Sequence, residues 1–228
     1  STFALGFGYT GAFLDLVRVD GCFVMLLAAG TERTLAGRHR TALWLFACSA
    51  LAKQHGVLPL VALALALLWL DARRHLPSVL AAAIGLCAAF LGLQFASDGQ
   101  FSRYVLELPM SHGLQPELLF SFLLVDLGVY LPVLLVSTLL AARRGVLTLP
   151  MLALFGAAIA ASALGRAHPG GDDNVRLPAF MLLCVTGAAL LVPPILDRTR
   201  STGSRLTWLF VLLAQLGVLV QPPGAHAP

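Results

Sequence analysis

The sequence predicts an all-α, polytopic transmembrane helix bundle of about eight spans, and three observations carry that expectation. Of its 228 residues, 58% are hydrophobic and only 11% are charged, against about 25% charged in an ordinary soluble domain. Mean hydropathy is +0.86. The apolar residues also fall in long blocks rich in Leu and Ala, separated by short polar breaks. Spanning helices satisfy their backbone internally and read as such blocks, whereas barrel strands alternate with a period of two. A water-soluble fold is excluded on this composition, and so is disorder, which needs high charge and few large apolar residues.

The blocks follow one another along the chain as Leu16–Gly30, Thr41–Ala52, Val57–Leu70, Ser78–Ser97, Leu118–Ala142, Val146–Leu164, Leu177–Leu196 and Leu206–Val220. A helix needs about 20 apolar residues to cross a bilayer. The second and third blocks are short and are expected to share residues 53–56 as a tight turn at the membrane surface. No basic segment precedes the first apolar stretch, so no signal peptide is expected.

Charge sets the orientation. The connections Thr31–Arg40, Asp71–Leu76, Arg143–Gly145 and Asp197–Arg205 hold ten arginines against Glu32, Asp71 and Asp197. The alternate connections hold most of the acids, the single lysine, and His55, His112, His168 and His226. Basic loops stay on the inner side, so both termini are predicted outside and any site faces outward. The net charge of +4 forms no patch in the sequence that would indicate nucleic acid. Cys22, Cys48, Cys87 and Cys184 lie inside apolar blocks without CxxC spacing and read as packing residues.

Four outward clusters could carry chemistry. In Asp15-Leu-Val-Arg18-Val-Asp20 the first acid and the arginine share a helix face and can pair, either as a helix-end anchor or as part of a site. Lys53-Gln54-His55-Gly56 places a compact cation, suited to a phosphate, where Gly and Asn would satisfy a plain turn; a lysine snorkelling to the interface has the same pattern. The stretch Phe101–Glu117, with Arg103, Tyr104, Glu107 and His112, reads as an interfacial helix followed by a turn at Ser111–Gly113. Residues 165–176 gather Arg166, His168, Asp172, Asp173, Asn174 and Arg176 around a Gly-Gly hinge, and this is the densest local signal. A divalent metal could use His168 and the aspartates, but no ligand spacing is diagnostic. Asp126 stands within the fifth block, with Tyr130 one turn on as its expected partner, or near enough to the outer surface to reach water.

The motifs Thr10-Gly-Ala-Phe-Leu-Asp15-Leu-Val-Arg18-Val-Asp20, Ala52-Lys53-Gln54-His55-Gly56, Tyr104-Val-Leu-Glu107-Leu-Pro109 and His168-Pro-Gly-Gly-Asp172-Asp173-Asn174-Val-Arg176-Leu-Pro178, taken in order, resemble a known family. It is the bacterial membrane glycosyltransferases of the GT-C fold, in the family 39-like group related to protein mannosyltransferases and aminoarabinose transferases. The resemblance implies a cell-envelope enzyme of the bacterial inner (plasma) membrane. Such an enzyme takes a sugar from a polyprenyl-phosphate carrier and passes it to a glycan, lipid or protein acceptor on the outer face. By that resemblance Arg18 and Lys53 hold the carrier phosphate, His168, Asp173 and Asn174 line the sugar or acceptor side, and Gln54 and His112 are further substrate-binding candidates. Asp15 and Asp20 are the remaining candidates for a base. Family members carry their catalytic aspartate in a loop after the first helix, and nothing before Asp15 offers a full span and an acidic loop. The chain is therefore expected to be one transmembrane domain, residues 1–228, from the C-terminal part of a longer enzyme. The competing expectation is a non-enzymatic lipid or small-molecule transporter or a structural subunit of the membrane; the two halves show no internal repeat of the kind transporters carry.

Overall fold

The computed structural model describes residues 19–107, 111, 113–128, 132–143, 145, 147–168, 173–185 and 201–219. Among these, every regular element is helical. α1 (Val19–Leu35) and α2 (His39–Ala52) are joined by a short turn, and a 3₁₀ turn (Gln54–Gly56) leads into α3 (Val57–Ala96). A helical turn at Gln100–Ser102 and a π-helical segment, Arg103–Glu107, follow. α4 (Pro116–Ser121) runs into a second π-helical segment, Phe122–Leu127. α5 (Pro132–Arg143) and α6 (Leu149–Arg166) come next, then a 3₁₀ turn at Asp173–Arg176. α7 covers the described residues 177–185, and α8 is Thr202–Leu219.

Several ends are set by local chemistry. Pro116 and Pro150 sit in the first turns of α4 and α6, where a missing N–H costs nothing and a fixed φ is already helical. α3 is a single element in hydrogen-bonding terms, yet Asp71 is extended within it (φ −159°, ψ 90°). The Asp71 carboxylate accepts the Arg74 amide N–H at 3.1 Å, which is how an N-cap satisfies the third amide of a helix. Asp71 thus ends one arm and starts the next without a loop. The expected inner connection Asp71–Leu76 shrinks to one residue. At 1.5 Å per residue the arms are about 20 Å and about 37 Å long.

The second arm returns along α2. The Trp44 indole occupies the space in front of Gly85, and the rings of His39 and His75 meet edge-on with centroids 5.7 Å apart. α1 packs on α2, α2 on α3, and α3 on α6. Their buried residues recur at helical spacing, as in Leu43, Phe46, Ala47 and Ala50, or Leu60, Leu63 and Leu67. All of these except Ala50 join Leu27, Met151, Leu154, Leu177 and Met181 in one core cluster. A second cluster, with Phe122, Leu127, Phe180 and Leu183, lies where the second π-helical segment meets α6 and α7.

Buried hydroxyls are absorbed locally. Thr31 and Thr34 donate to the carbonyls of Leu27 and Gly30 at 2.8 and 2.9 Å. The Ser162 hydroxyl accepts the Ala179 amide at 3.0 Å and ties α6 to the first turn of α7.

The outside of the bundle is apolar. Trp69 is 85% exposed and Phe95 79%, and Ile84, Leu65 and Phe210 also face outward. By length and composition, two described helices can cross a membrane, residues 54–96 and Leu149–Arg166. That is fewer than the eight blocks of the sequence. Asp71 merges the third and fourth blocks into one element, and parts of the fifth and seventh lie outside the described residues.

Burial, then the neighbouring His75 and Arg74, hold the His39 imidazole below its ordinary 6.5. The unfolded chain therefore takes up this proton more readily than the folded one. The stability linked to His39 is complete above pH 6.5 and declines as the pH falls through that value. Thermal unfolding of the purified protein should show a lower midpoint below pH 6.5 than above it. His39→Gln should flatten that part of the profile.

Candidate functional site

The tight turn expected at residues 53–56 forms, and its geometry depends on Gly56. Lys53 ends α2 in an extended conformation, its N–H bonded to the Ser49 carbonyl at 2.9 Å. The Gly56 amide returns to the Lys53 carbonyl at 2.8 Å. A Cβ on Gly56 would sit 2.5 Å from backbone atoms of Ser49 and Ala50, so no other residue lets the chain reverse this closely.

The turn delivers His55 to the end of α6. Gly165 is flanked by the Val175 side chain and the His55 ring, which would stand 3.0 and 3.4 Å from a Cβ at that position. The Lys53–Gly56 motif and the Gly165–Arg176 motif, more than a hundred residues apart, therefore share one end of the bundle. The approach to α4 is tied there too, through the Gln115 amide and the Ala167 carbonyl at 2.7 Å.

An ion cluster completes this end. Asp126, on the second π-helical segment, is 2% exposed and Arg176 6%. The Asp126 carboxylate meets Arg176 Nε at 3.1 Å through Oδ1 and Arg166 Nε at 3.7 Å through Oδ2. The expectation that Asp126 reaches water does not match this arrangement. The carboxylate is buried rather than wet, and its cationic partners come from α6 and the 3₁₀ turn; Tyr130 lies outside the described residues. A carboxylate within an apolar bundle needs a cation, and the two arginines flanking the Gly-Gly hinge supply it.

Of the residues singled out in the sequence, Asp15, Arg18 and His112 lie outside the described residues. Asp20 falls in the first turn of α1, and Asp173 and Asn174 open the 3₁₀ turn that ends at Arg176. Lys53 and Gln54 are half-buried at the α2–α3 turn. His168 is half-buried just beyond α6, with Nδ1 enclosed and without a hydrogen-bond partner among the described residues. Also among the described residues, no three His, Cys, Asp or Glu side chains converge as a metal site.

A cavity of about 390 Å³ opens beside the turn. Ala50, Leu51 and Val57 line one wall, Leu86 and Phe90 of the second α3 arm another, and Phe101 and Leu106 the third. Gln54 is the amide in an otherwise aliphatic and aromatic lining that also includes Cys87. Gln94 builds the third wall. Its carboxamide holds Ser102 through the Ser102 amide and hydroxyl at 2.8 and 3.0 Å, and donates to the Gly99 carbonyl at 3.2 Å. Phe101 is thereby folded onto Phe90, ring centroids 5.2 Å apart. Sequence reasoning missed this cavity, because its walls come from three separated segments and each reads as ordinary apolar helix.

Comparison with protein-family models, with curated proteins and with solved structures finds no match to the chain.

Removing one member of a buried ion pair strands the other and costs about 3–5 kcal/mol, whereas replacing both with apolar groups of similar size is close to neutral. Asp126→Ala should therefore lower stability by about 3–5 kcal/mol. Asp126→Leu combined with Arg176→Met should recover part of that loss, because Arg166 still loses its carboxylate. Thermal unfolding of the purified variants in one detergent measures both.

Proposed function

We propose that the chain is a membrane-embedded glycosyltransferase that moves a sugar from a polyprenyl-phosphate carrier to an acceptor on the outer face of the bacterial inner membrane. One observation carries the reading: the apolar cavity adjoins the Lys53–Gln54 turn, at the same end of the bundle as His55, Arg166, His168 and Arg176. An amphiphile with a linear apolar tail and an anionic head matches both halves of that end. Its tail enters a cavity that offers almost no polar partner, and its phosphate meets Lys53. The apolar exterior of α3 supports a bilayer setting.

In this reading Lys53, with Arg18, stabilises the phosphate as the glycosidic bond breaks and charge develops on the leaving group. Gln54 stands between cavity and headgroup and orients the carrier. The Asp126 ion cluster is a positioning device. It anchors the 3₁₀ turn that presents Asp173 and Asn174, and holds the end of α6 that carries His168 toward the sugar or acceptor. Asp15 and Asp20 are the candidate bases for activating the acceptor, and both termini lie on the outer side.

The test is the cellular pool of polyprenyl-phosphate sugars, read by mass spectrometry. Overproducing the complete protein should deplete one such species and glycosylate an acceptor. Lys53→Ala should lower that turnover by about tenfold to a hundredfold, the worth of a charge-assisted contact. An unchanged pool sinks the enzymatic reading. If the purified protein still binds a polyprenyl phosphate more tightly than the matching polyprenol, a non-enzymatic lipid transporter becomes the better account.

A further inference from the structure

The opposite end of the bundle carries a feature that the proposed chemistry does not use. The α1–α2 turn and the break in α3 are separated by more than thirty residues, yet the His39–His75 ring contact brings them together. Arg38 and Arg40 flank His39, and Arg73 and Arg74 precede His75; all four arginines are exposed. Arg74 is close enough to act electrostatically on His39.

The acids of these two segments are engaged. Glu32 pairs with Arg33 at 3.0 Å, and Asp71 caps the second arm through the Arg74 amide. Five arginines against these two carboxylates leave a net charge of +3, carried on four exposed guanidiniums beyond the Arg33 pair, on a surface that neither segment forms alone. Its border is apolar: Leu35, Trp69, Leu70 and Leu76 are 53%, 85%, 56% and 43% exposed. A nearly fully exposed tryptophan beside a basic cluster is the arrangement of a membrane–water interface, where the ring sits at headgroup level and arginines reach the phosphates.

We propose that this two-segment patch, Arg38 and Arg40 with Arg73 and Arg74, is a docking surface for the headgroups of anionic phospholipids in the leaflet at that end of the bundle. Planar guanidiniums bind phosphate oxygens in pairs, and the apolar border accommodates the acyl chains of the same lipids. That border favours a lipid over a nucleic acid, which would leave Trp69 and Leu76 in water. The proposal rests on the membrane reading and is independent of glycosyl transfer.

The test uses the full chain in nanodiscs of phosphatidylcholine containing a minority of phosphatidylglycerol, with co-purifying lipid counted by native mass spectrometry. Phosphatidylglycerol should be retained above its share of the bilayer. The enrichment should fall when salt is raised to about 1 M, where the screening length is about 3 Å. Each Arg→Gln change within the patch should reduce it by up to about fivefold. Arg143→Gln, outside the patch, should leave it unchanged and controls for general loss of charge.

Arg38→Gln and Arg73→Gln serve as single variants that disturb folding least. In a double-variant cycle their effects should be coupled, because one lipid phosphate bridges the two segments. Retention equal to the bulk share, or equal in wild type and variants, overturns the proposal. So does displacement of the phosphatidylglycerol by a single-stranded oligonucleotide, which would assign the patch to nucleic acid. A chain that does not enter nanodiscs at all overturns the membrane reading and the patch together.

Discussion

The polar end of this bundle depends on the burial of one carboxylate. Asp126 lies almost wholly out of solvent between Arg176 and Arg166, and a charge so placed costs several kcal/mol unless it is paired. Pairing settles where three otherwise independent pieces of chain can go: the second π-helical segment, the end of α6 and the 3₁₀ turn before α7. A π-helical stretch re-aims side chains relative to a regular helix, and here it is the stretch that carries Asp126. The hydrophobic cluster around Phe122 and Phe180 packs the same π-helical segment against α6 and α7. Apolar burial and charge pairing therefore favour one arrangement.

A second constraint meets this one at Gly165. The Gly56 turn is closely pressed against the last turn of α2, and the His55 ring it carries lies against Gly165 at the end of α6. The same turn supplies Gln54 to the apolar cavity. Polar groups and cavity thus share a boundary because one four-residue reversal serves both. At the other end Asp71 does comparable work with less chain. Its carboxylate caps a helix in place of a loop, which leaves the two arms of α3 close enough for His75 to reach His39 and for two short basic segments to merge.

Much of the helical organisation was legible in composition alone. The sixth apolar block becomes α6, the second becomes α2, and the last becomes α8, each with ends shifted by a few residues. The turn at 53–56 was also legible, since Lys-Gln-His-Gly interrupts an apolar run with residues a helix in lipid would not hold. The break at Asp71 was read at the right place but as a loop, because nothing in Leu-Asp-Ala-Arg-Arg distinguishes a capping aspartate from a solvated one. The candidate site was legible as separate motifs: Lys53, Gln54 and His168 were singled out, and so was Asp126. The partners of Asp126 were not. Arg166 and Arg176 lie forty and fifty residues away from it, and charge complementarity says that a buried acid needs a cation without saying which.

By itself the sequence determined that the chain is helical, where its polar breaks fall, and which residues are too costly to leave unpaired in an apolar setting. These are local properties, set by hydropathy, backbone satisfaction and the conformational range of each residue. Tertiary structure alone decided that His55 meets Gly165, that Asp126 is shared by two arginines, that a cavity opens between Gln54 and Phe90, and that two basic turns become one surface. Each of these is a contact between segments far apart in the chain. Its energy depends on distance and burial, which exist only after the helices have packed.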